Sequence, residues 1–237
     1  MFLTRFRLNT ARVGARRLLS SPQVLHAAVM ASFAEAPSHG GHGPRVLWRI
    51  DRNSKAETLL YVVSPVRPDL THLVEQAGWP ATPTAGWKTY DYADFLSKLA
   101  AGDTWSFRLT ANPVHSIRRK DGEPTKRTAH VTPRHQKQWL IKHQENAGFR
   151  VLERPAERQV LPDGGDAYEL IVHDRRDLAF GKTEQPSGRL NRVTLATATF
   201  DGRLAVTDPD ALRRTLTSGL GKAKAYGCGL MTLAPAR

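Results

Sequence analysis

Two features of the chain carry residue types that can do chemistry: a histidine near its start and a glycine–lysine loop near its end. His26 lies between Leu25 and Val29 of an apolar stripe, so its imidazole stands at the margin of a buried face. An imidazole in that position can take up or release a proton near neutral pH, as general acid–base catalysis requires. The same position also suits a boundary histidine with satisfied hydrogen bonds. The second feature runs from Ser218 to Leu230 and reads SGLGKAKAYGCGL. Gly219, Gly221, Gly227 and Gly229 allow backbone conformations and close approaches that a Cβ would forbid. Lys222 and Lys224 add positive charge, and exposed N–H groups in such a loop can form an anion-binding concavity. A phosphate cradle is the chemical reading; a helix-to-strand connection is the plain one.

The loop does not match a Walker A motif, because Leu216 stands where the first glycine is required and Ala223 where Ser or Thr is required. It is also no dinucleotide fingerprint, since it follows a helical segment instead of opening one. A nucleic-acid backbone remains the better anion. Among the other histidines, His39 and His42 flank two glycines without a third metal ligand nearby, and His115, His130, His135 and His143 fall in a basic central region. His72 and His173 stand out in no pattern. Neither a serine-nucleophile motif, an HExxH helix nor a calcium loop is present. No carboxylate cluster suggests a two-metal nuclease. We therefore expect no metal and no small-molecule cofactor.

The elements that must hold these residues follow from the pattern. Phe2, Thr4, Phe6 and Leu8 alternate with Leu3, Arg5 and Arg7, as in a strand. The arginine-rich, acid-free opening also has the composition of an organellar leader, but a leader does not need that alternation. Asn9–Leu19 reads as a basic connector, and Ser21-Pro22 opens the helix that carries His26. Strands are expected at Val46–Asp51 and Thr58–Val66, a short helix after Asp69, and a short strand near Trp87–Tyr90. That is a βαββαβ order. A second unit begins with a strand at Thr104–Ala111, followed by a basic loop from Asn112 to Lys126. A helix capped by Thr132 follows, then strands at Phe149–Leu152, Gln159–Leu161, Tyr168–His173 and Asn191–Phe200. A helix from Asp208, the glycine loop and a last strand close it. The fold expected is α+β, with two tandem ferredoxin-like (RRM-like) domains at 1–92 and 103–237, joined by a linker at 93–102, the second domain carrying an inserted hairpin.

The 237 residues carry a formal net charge of +13, which calls for a polyanionic partner. No apolar run is long enough to span a bilayer, so no membrane is expected. With Cys228 as the sole cysteine there is no internal disulfide, which fits a reducing cytoplasm. The strands lack the aromatic pattern by which an RRM sheet stacks single-stranded bases. Basic residues gather instead at Arg118, Arg119, Lys126 and Arg127, and at Arg175, Arg176 and Lys182. Such clusters suit a structured RNA gripped by its phosphates. RNA can also be cut without metal, because its own 2′-OH attacks the neighbouring phosphate once a proton acceptor, a proton donor and positive charge are supplied.

Several stretches together resemble one family: SPQVLH (Ser21–His26) after ARRLL (Ala15–Leu19), FRLTANP (Phe107–Pro113), Trp139-Leu140 in a helix, and the glycine loop followed by LAP (Leu233–Pro235). This pattern is similar to the CasE group of CRISPR-associated endoribonucleases, the RNA-processing subunit of the type I-E Cascade complex. The resemblance implies tandem ferredoxin-like domains and a nuclease that binds the CRISPR repeat stem-loop. It implies cleavage of precursor crRNA at the 3′ base of the stem, without metal, leaving a 2′,3′-cyclic phosphate. The protein would then stay on its product beside the other Cascade subunits. It implies that His26 is catalytic and that the loop of Gly219, Gly221, Gly227 and Gly229 meets RNA. It also implies that Arg175 and Arg176 sit on a groove-entering hairpin, and that Arg16 and Arg17, with Arg12, lie near the RNA. Two positions depart from members of the group: Gln23 stands where some carry Tyr, and Ala31 where some carry Lys. Lys222, Lys224, Tyr226 or Gln23 would then assist His26. A tight but inactive binding subunit, and a basic structural RNA-binding protein, are the alternatives.

Overall fold

A computed structural model describes residues 1–35, 43–54, 57–80, 86–117, 125–161, 165–183 and 190–236. The N-terminal half runs β1 (Phe2–Leu8), α1 (Val13–Ser20), α2 (Pro22–Met30), β2 (Leu47–Ser54), β3 (Glu57–Ser64), α3 (Thr71–Ala77) and β4 (Trp87–Asp91). Its four strands form an antiparallel sheet in the order β2-β3-β1-β4. The alternation in β1 does what its pattern requires: Phe6 and Leu8 are buried while Arg5 and Arg7 face out. Helix α4 (Tyr92–Ser97) leads to the second half, with β5 (Thr104–Ala111), β6 (Val114–Ile117), β7 (Lys126–Ala129), α5 (Pro133–Gln144), β8 (Phe149–Val151), β9 (Leu170–Thr183), β10 (Leu190–Val206), α6 (Pro209–Ser218) and β11 (Met231–Pro235). Its sheet runs β11-β5-β10-β8, with β9 paired along the outer length of β10. Both sheets have the ferredoxin-like strand order, and the β9–β10 arm is the insertion.

Three local expectations need correction. The basic connector is largely helical, because Ala15 and Leu18, three residues apart, are both buried against the core. Gly14 lets α1 press on α3, where a Cβ would fall 2.2 Å from the Gln76 carbonyl oxygen. The strand expected at Gln159–Leu161 is absent; a 3-10 turn at Ala156–Arg158 leads into an irregular segment there. The backbone N–H groups of Val160 and Leu161 donate to the Asp166 carboxylate, at 2.8 and 3.2 Å, so no ladder partner is needed. The basic loop after Asn112 contains the hairpin β6–β7, with Val114 opposite Ala129 and Ile117 opposite Lys126. Its Arg118 and Arg119 lie outside the described residues.

The two sheets share a core. Leu47 and Val63 of the first sheet join the buried cluster of Leu109, Phe149 and Phe200 in the second. Arg49 of β2, 1 % exposed, crosses the boundary to the carbonyl oxygens of Arg108 and Leu230 and to the Thr232 hydroxyl. The glycine loop is thereby tied to the half that carries His26.

Candidate active site and nucleic-acid interface

Pro22 fixes the first turn of α2, and Leu25 and Val29 anchor the helix in the core at 2 % and 1 % exposure. His26 is left half-buried at the edge of that stripe, with Gln23, also half-buried, one turn before it. On its outer side α2 packs against the 3-10 turn Lys224–Tyr226 and against β9. The helix that carries the histidine and the loop that carries the lysines are thus neighbours, although some two hundred residues separate them in the chain.

The loop is shaped to reach that neighbour. Gly227 has φ +80°, and a Cβ on it would sit 2.6 Å from the Trp48 ring of β2. Gly219, at φ +78°, would bring a Cβ 2.8 Å from Leu47 in the same way. Within the loop Leu220 donates to Gly229 O and Tyr226 to Ala223 O, both at 2.9 Å, and Gly229 donates to Thr110 O of β5 at 2.7 Å. The described loop therefore spends glycine on close packing and on closing its own base. Tyr226 rests edge-on against Phe180 of β9, 4.8 Å between ring centroids. Lys224 is half-buried; burial first, then Arg45 and Lys222, hold its ammonium below the usual lysine range. Arg45 carries no signal in the sequence, and only tertiary approach brings it here.

Around this centre the predicted basic residues divide. Tyr226, Gly227, Asp174 and Arg176 line a cavity of about 110 Å³ together with Pro22 and Leu25 of α2. Arg127 of β7 shares a groove of about 610 Å³ with Lys222, Tyr226 and Asp177. Lys126 is exposed one residue away, and Lys182 is exposed further along β9. Arg175 and Arg176 are each held by a carboxylate: Arg175 Nη2 donates to Asp177 at 2.8 and 2.9 Å, and Arg176 Nε donates to Asp174 at 2.8 Å. Asp174 has φ +48° at a bulge where β9 slips against Thr197 and Thr199 of β10, and that bulge turns the arm.

On α1, Arg17 is exposed, while Arg16 turns back to the carbonyls of Thr10 and Ala11. The Arg12 guanidinium closes the end of α3, donating to Val74, Glu75 and Gly78 oxygens. His39 and His42 lie outside the described residues. His72 and His143 each bond a backbone carbonyl, at 3.0 and 2.7 Å. His115, His130 and His135 stack in a row beside the β6–β7 hairpin, with centroids 4.4 and 6.0 Å apart. A cavity of about 990 Å³ between the two sheets is lined by none of the catalytic or RNA-binding residues expected from the sequence.

Residues 1–235 match the family described as CRISPR associated protein. The chain is 30% identical over 236 residues to the CRISPR-associated endoribonuclease Cse3 of Thermus thermophilus, covering 99% of this chain and 100% of that one. It is 26% identical over 196 residues to the CRISPR system Cascade subunit CasE of Escherichia coli, covering 80% and 88%. A solved structure of Thermus thermophilus Cse3 bound to an RNA representing a pre-cleavage complex superposes with a TM-score of 0.73 at 28% identity, covering 99% of this chain and 98% of that one. With the fold, the tied boundary between its halves and the full-length match together, the chain belongs to the family of CRISPR-associated proteins, in its CasE-type group.

Proposed function

We propose that this chain is an endoribonuclease that binds the stem-loop of a CRISPR repeat and cuts precursor crRNA at the 3′ base of the stem, in the cytoplasm. It then stays on the product as a Cascade subunit. The observation that carries this reading is the packing of α2, with His26, against the turn that carries Lys224. The relative of 30% identity is itself named an endoribonuclease. In the reaction, the 2′-oxygen attacks the adjacent phosphorus and the bond from phosphorus to the 5′-oxygen breaks. A 2′,3′-cyclic phosphate and a 5′-hydroxyl result. His26 moves the proton, and Lys224 faces the charge that builds on the phosphate, with Lys222 and Tyr226 beside it. Gln23 has no titratable group, so it can orient but not exchange a proton. Among the described residues no three His, Cys, Asp or Glu side chains are grouped to hold a metal ion. No helix among the described residues is long and apolar enough to cross a membrane.

The test is single-turnover cleavage of a repeat hairpin in excess EDTA. His26→Ala should lower the rate by roughly 10²–10⁴-fold while leaving binding intact. A 2′-deoxy nucleotide just upstream of the cut should abolish cleavage. Binding without any cleavage by the wild-type chain would favour an inactive RNA-binding subunit, a reading to which Gln23 lends support. Binding indifferent to the hairpin would discard both.

A further inference from the structure

The glycine loop holds more positive charge than its own sequence carries. Arg45 enters β2 alongside it: its backbone N–H donates to Thr217 O at 3.2 Å, and the Ser218 hydroxyl donates to Gly43 O at 3.1 Å. The Arg45 side chain is half-buried, its Nε is shielded from solvent, and none of its nitrogens has a hydrogen-bond acceptor or a carboxylate partner among the described residues. The preceding stretch, residues 36–42, contains no acidic residue. Lys224 packs into the base of the same loop, its stem 3.2 Å from where a Gly229 Cβ would stand. Burial first, and then the charges of Arg45 and Lys222, disfavour the charged form of Lys224.

A half-buried guanidinium is costly without a counter-charge, and proteins ordinarily pair such groups. Here no carboxylate among the described residues is the missing partner. Arg45 does not serve as a side-chain cap for α6 either, because its backbone N–H, not its guanidinium, meets Thr217 O. We propose that Arg45, Lys222 and Lys224 form one phosphate-binding cluster, in which Arg45 grips a backbone phosphate of the RNA beside the helix of His26. This rests on the ribonuclease reading above and names a residue that reading does not include. Arg45 is a positioning residue: a fork of donors fixed by its half-buried stem sets the phosphate, and the phosphate in turn sets the 2′-oxygen relative to His26.

The cluster makes two demands that pull in opposite directions. In the RNA-free chain the three cations repel one another, so neutralising Arg45 should leave the melting temperature unchanged or raise it. With RNA bound the same change should weaken the complex. The experiment compares wild type, Arg45→Gln and Arg45→Lys, using a repeat hairpin blocked by a 2′-deoxy nucleotide. Affinity is read across a salt series, and thermal melting is followed without RNA. Arg45→Gln should bind about tenfold more weakly, as the loss of a charge-assisted hydrogen bond predicts. The slope of log K against log salt should flatten by about one. Arg45→Lys should keep the slope and recover part of the affinity. A wild-type chain that binds the hairpin while Arg45→Gln matches it in affinity and slope overturns the cluster alone. So does an Arg45→Gln chain that melts lower with an unchanged slope. Failure of wild type itself to bind the hairpin overturns the ribonuclease reading, and the RNA ligand with it.

Discussion

Arg49 Nη1 donates to the backbone oxygen of Leu230 at 3.0 Å, and this bond joins the strand that follows the His26 helix to the last residue of the glycine loop. The same guanidinium holds both carboxylate oxygens of Asp51, at 2.6 and 2.9 Å. Asp51 is itself 7 % exposed, so neither charge can turn to water. Arg49→Met would leave Asp51 without its bidentate partner and strip donors from two carbonyls and the Thr232 hydroxyl. Breaking a buried pair on one side costs about 3–5 kcal/mol. The expected result is a large fall in thermal stability, with cleavage lost in parallel because the loop is no longer held against α2. Arg49→Lys should rescue little, since a point charge cannot reproduce the fork. Melting curves of the two variants check both statements.

Gly227 tests whether the loop must touch Trp48 for the site to form. Its φ of +80° and the 2.6 Å approach to the ring leave no room for a methyl group. Gly227→Ala should cost roughly 1–3 kcal/mol from strain and overpacking together. The turn at Lys224–Tyr226 immediately precedes it, so cleavage should fall by more than stability alone explains. Single-turnover rates at a temperature where the variant remains folded separate the two effects. A variant that cuts normally once folded would show the loop to be structural only.

Much of the fold is legible in the sequence because its signals are local. The alternation in β1, Pro22 at the start of α2, Thr132 accepting from the His135 N–H and Asp208 accepting from Asp210 and Ala211 are all readable within a few residues. The segment around Val160 misleads because its N–H groups bond to a side chain, and a period-two pattern cannot register that competitor. The hairpin β6–β7 is hidden because Ser116, Ile117, Lys126, Arg127 and Thr128 face solvent and all but Ile117 are polar. At the site, His26 and the glycine loop are visible through residue type. Arg45 is not, because its neighbours Thr217 and Lys224 are more than 170 positions away in the chain. The bonds of Arg12 to the end of α3 are hidden for the same reason: a surface arginine and a helix-closing arginine look identical in sequence.

The β9 arm offers its arginines already paired. Arg175 with Asp177 and Arg176 with Asp174 are partly exposed, and such pairs add little to stability, about 0–1 kcal/mol. On the proposed role of the arm in RNA binding, their cost falls there, since each acid must give up its arginine before a phosphate can take it. Asp177→Asn should therefore leave melting nearly unchanged, speed association with hairpin RNA, and steepen its salt dependence. Stopped-flow association at two salt concentrations measures it. A slower association would mean that Asp177 orients Arg175 for the RNA instead of competing with it.

Asp201 links the arm to the domain boundary and sets a response to acid. Its carboxylate accepts from Arg108 Nε and Nη2 at 2.7 and 2.6 Å and from His173 Nε2 at 3.0 Å. Burial alone would push the carboxyl up. The bonds and charges of Arg108 and His173 outweigh burial and hold it below its ordinary value. A carboxyl depressed in the folded chain binds its proton more readily when unfolded. Its stabilising share is therefore complete above the unfolded value, about pH 3.9, and is lost as pH falls through the folded one. Asp201→Asn should cost about 1–3 kcal/mol at pH 7, by leaving Arg108 short of an ionised acceptor. Denaturant melts of wild type and variant at pH 7, 5, 4 and 3 should show a constant gap down to about pH 4 that closes below it. A gap that stays constant down to pH 3 would show that the Asp201 carboxylate does not set the acid response.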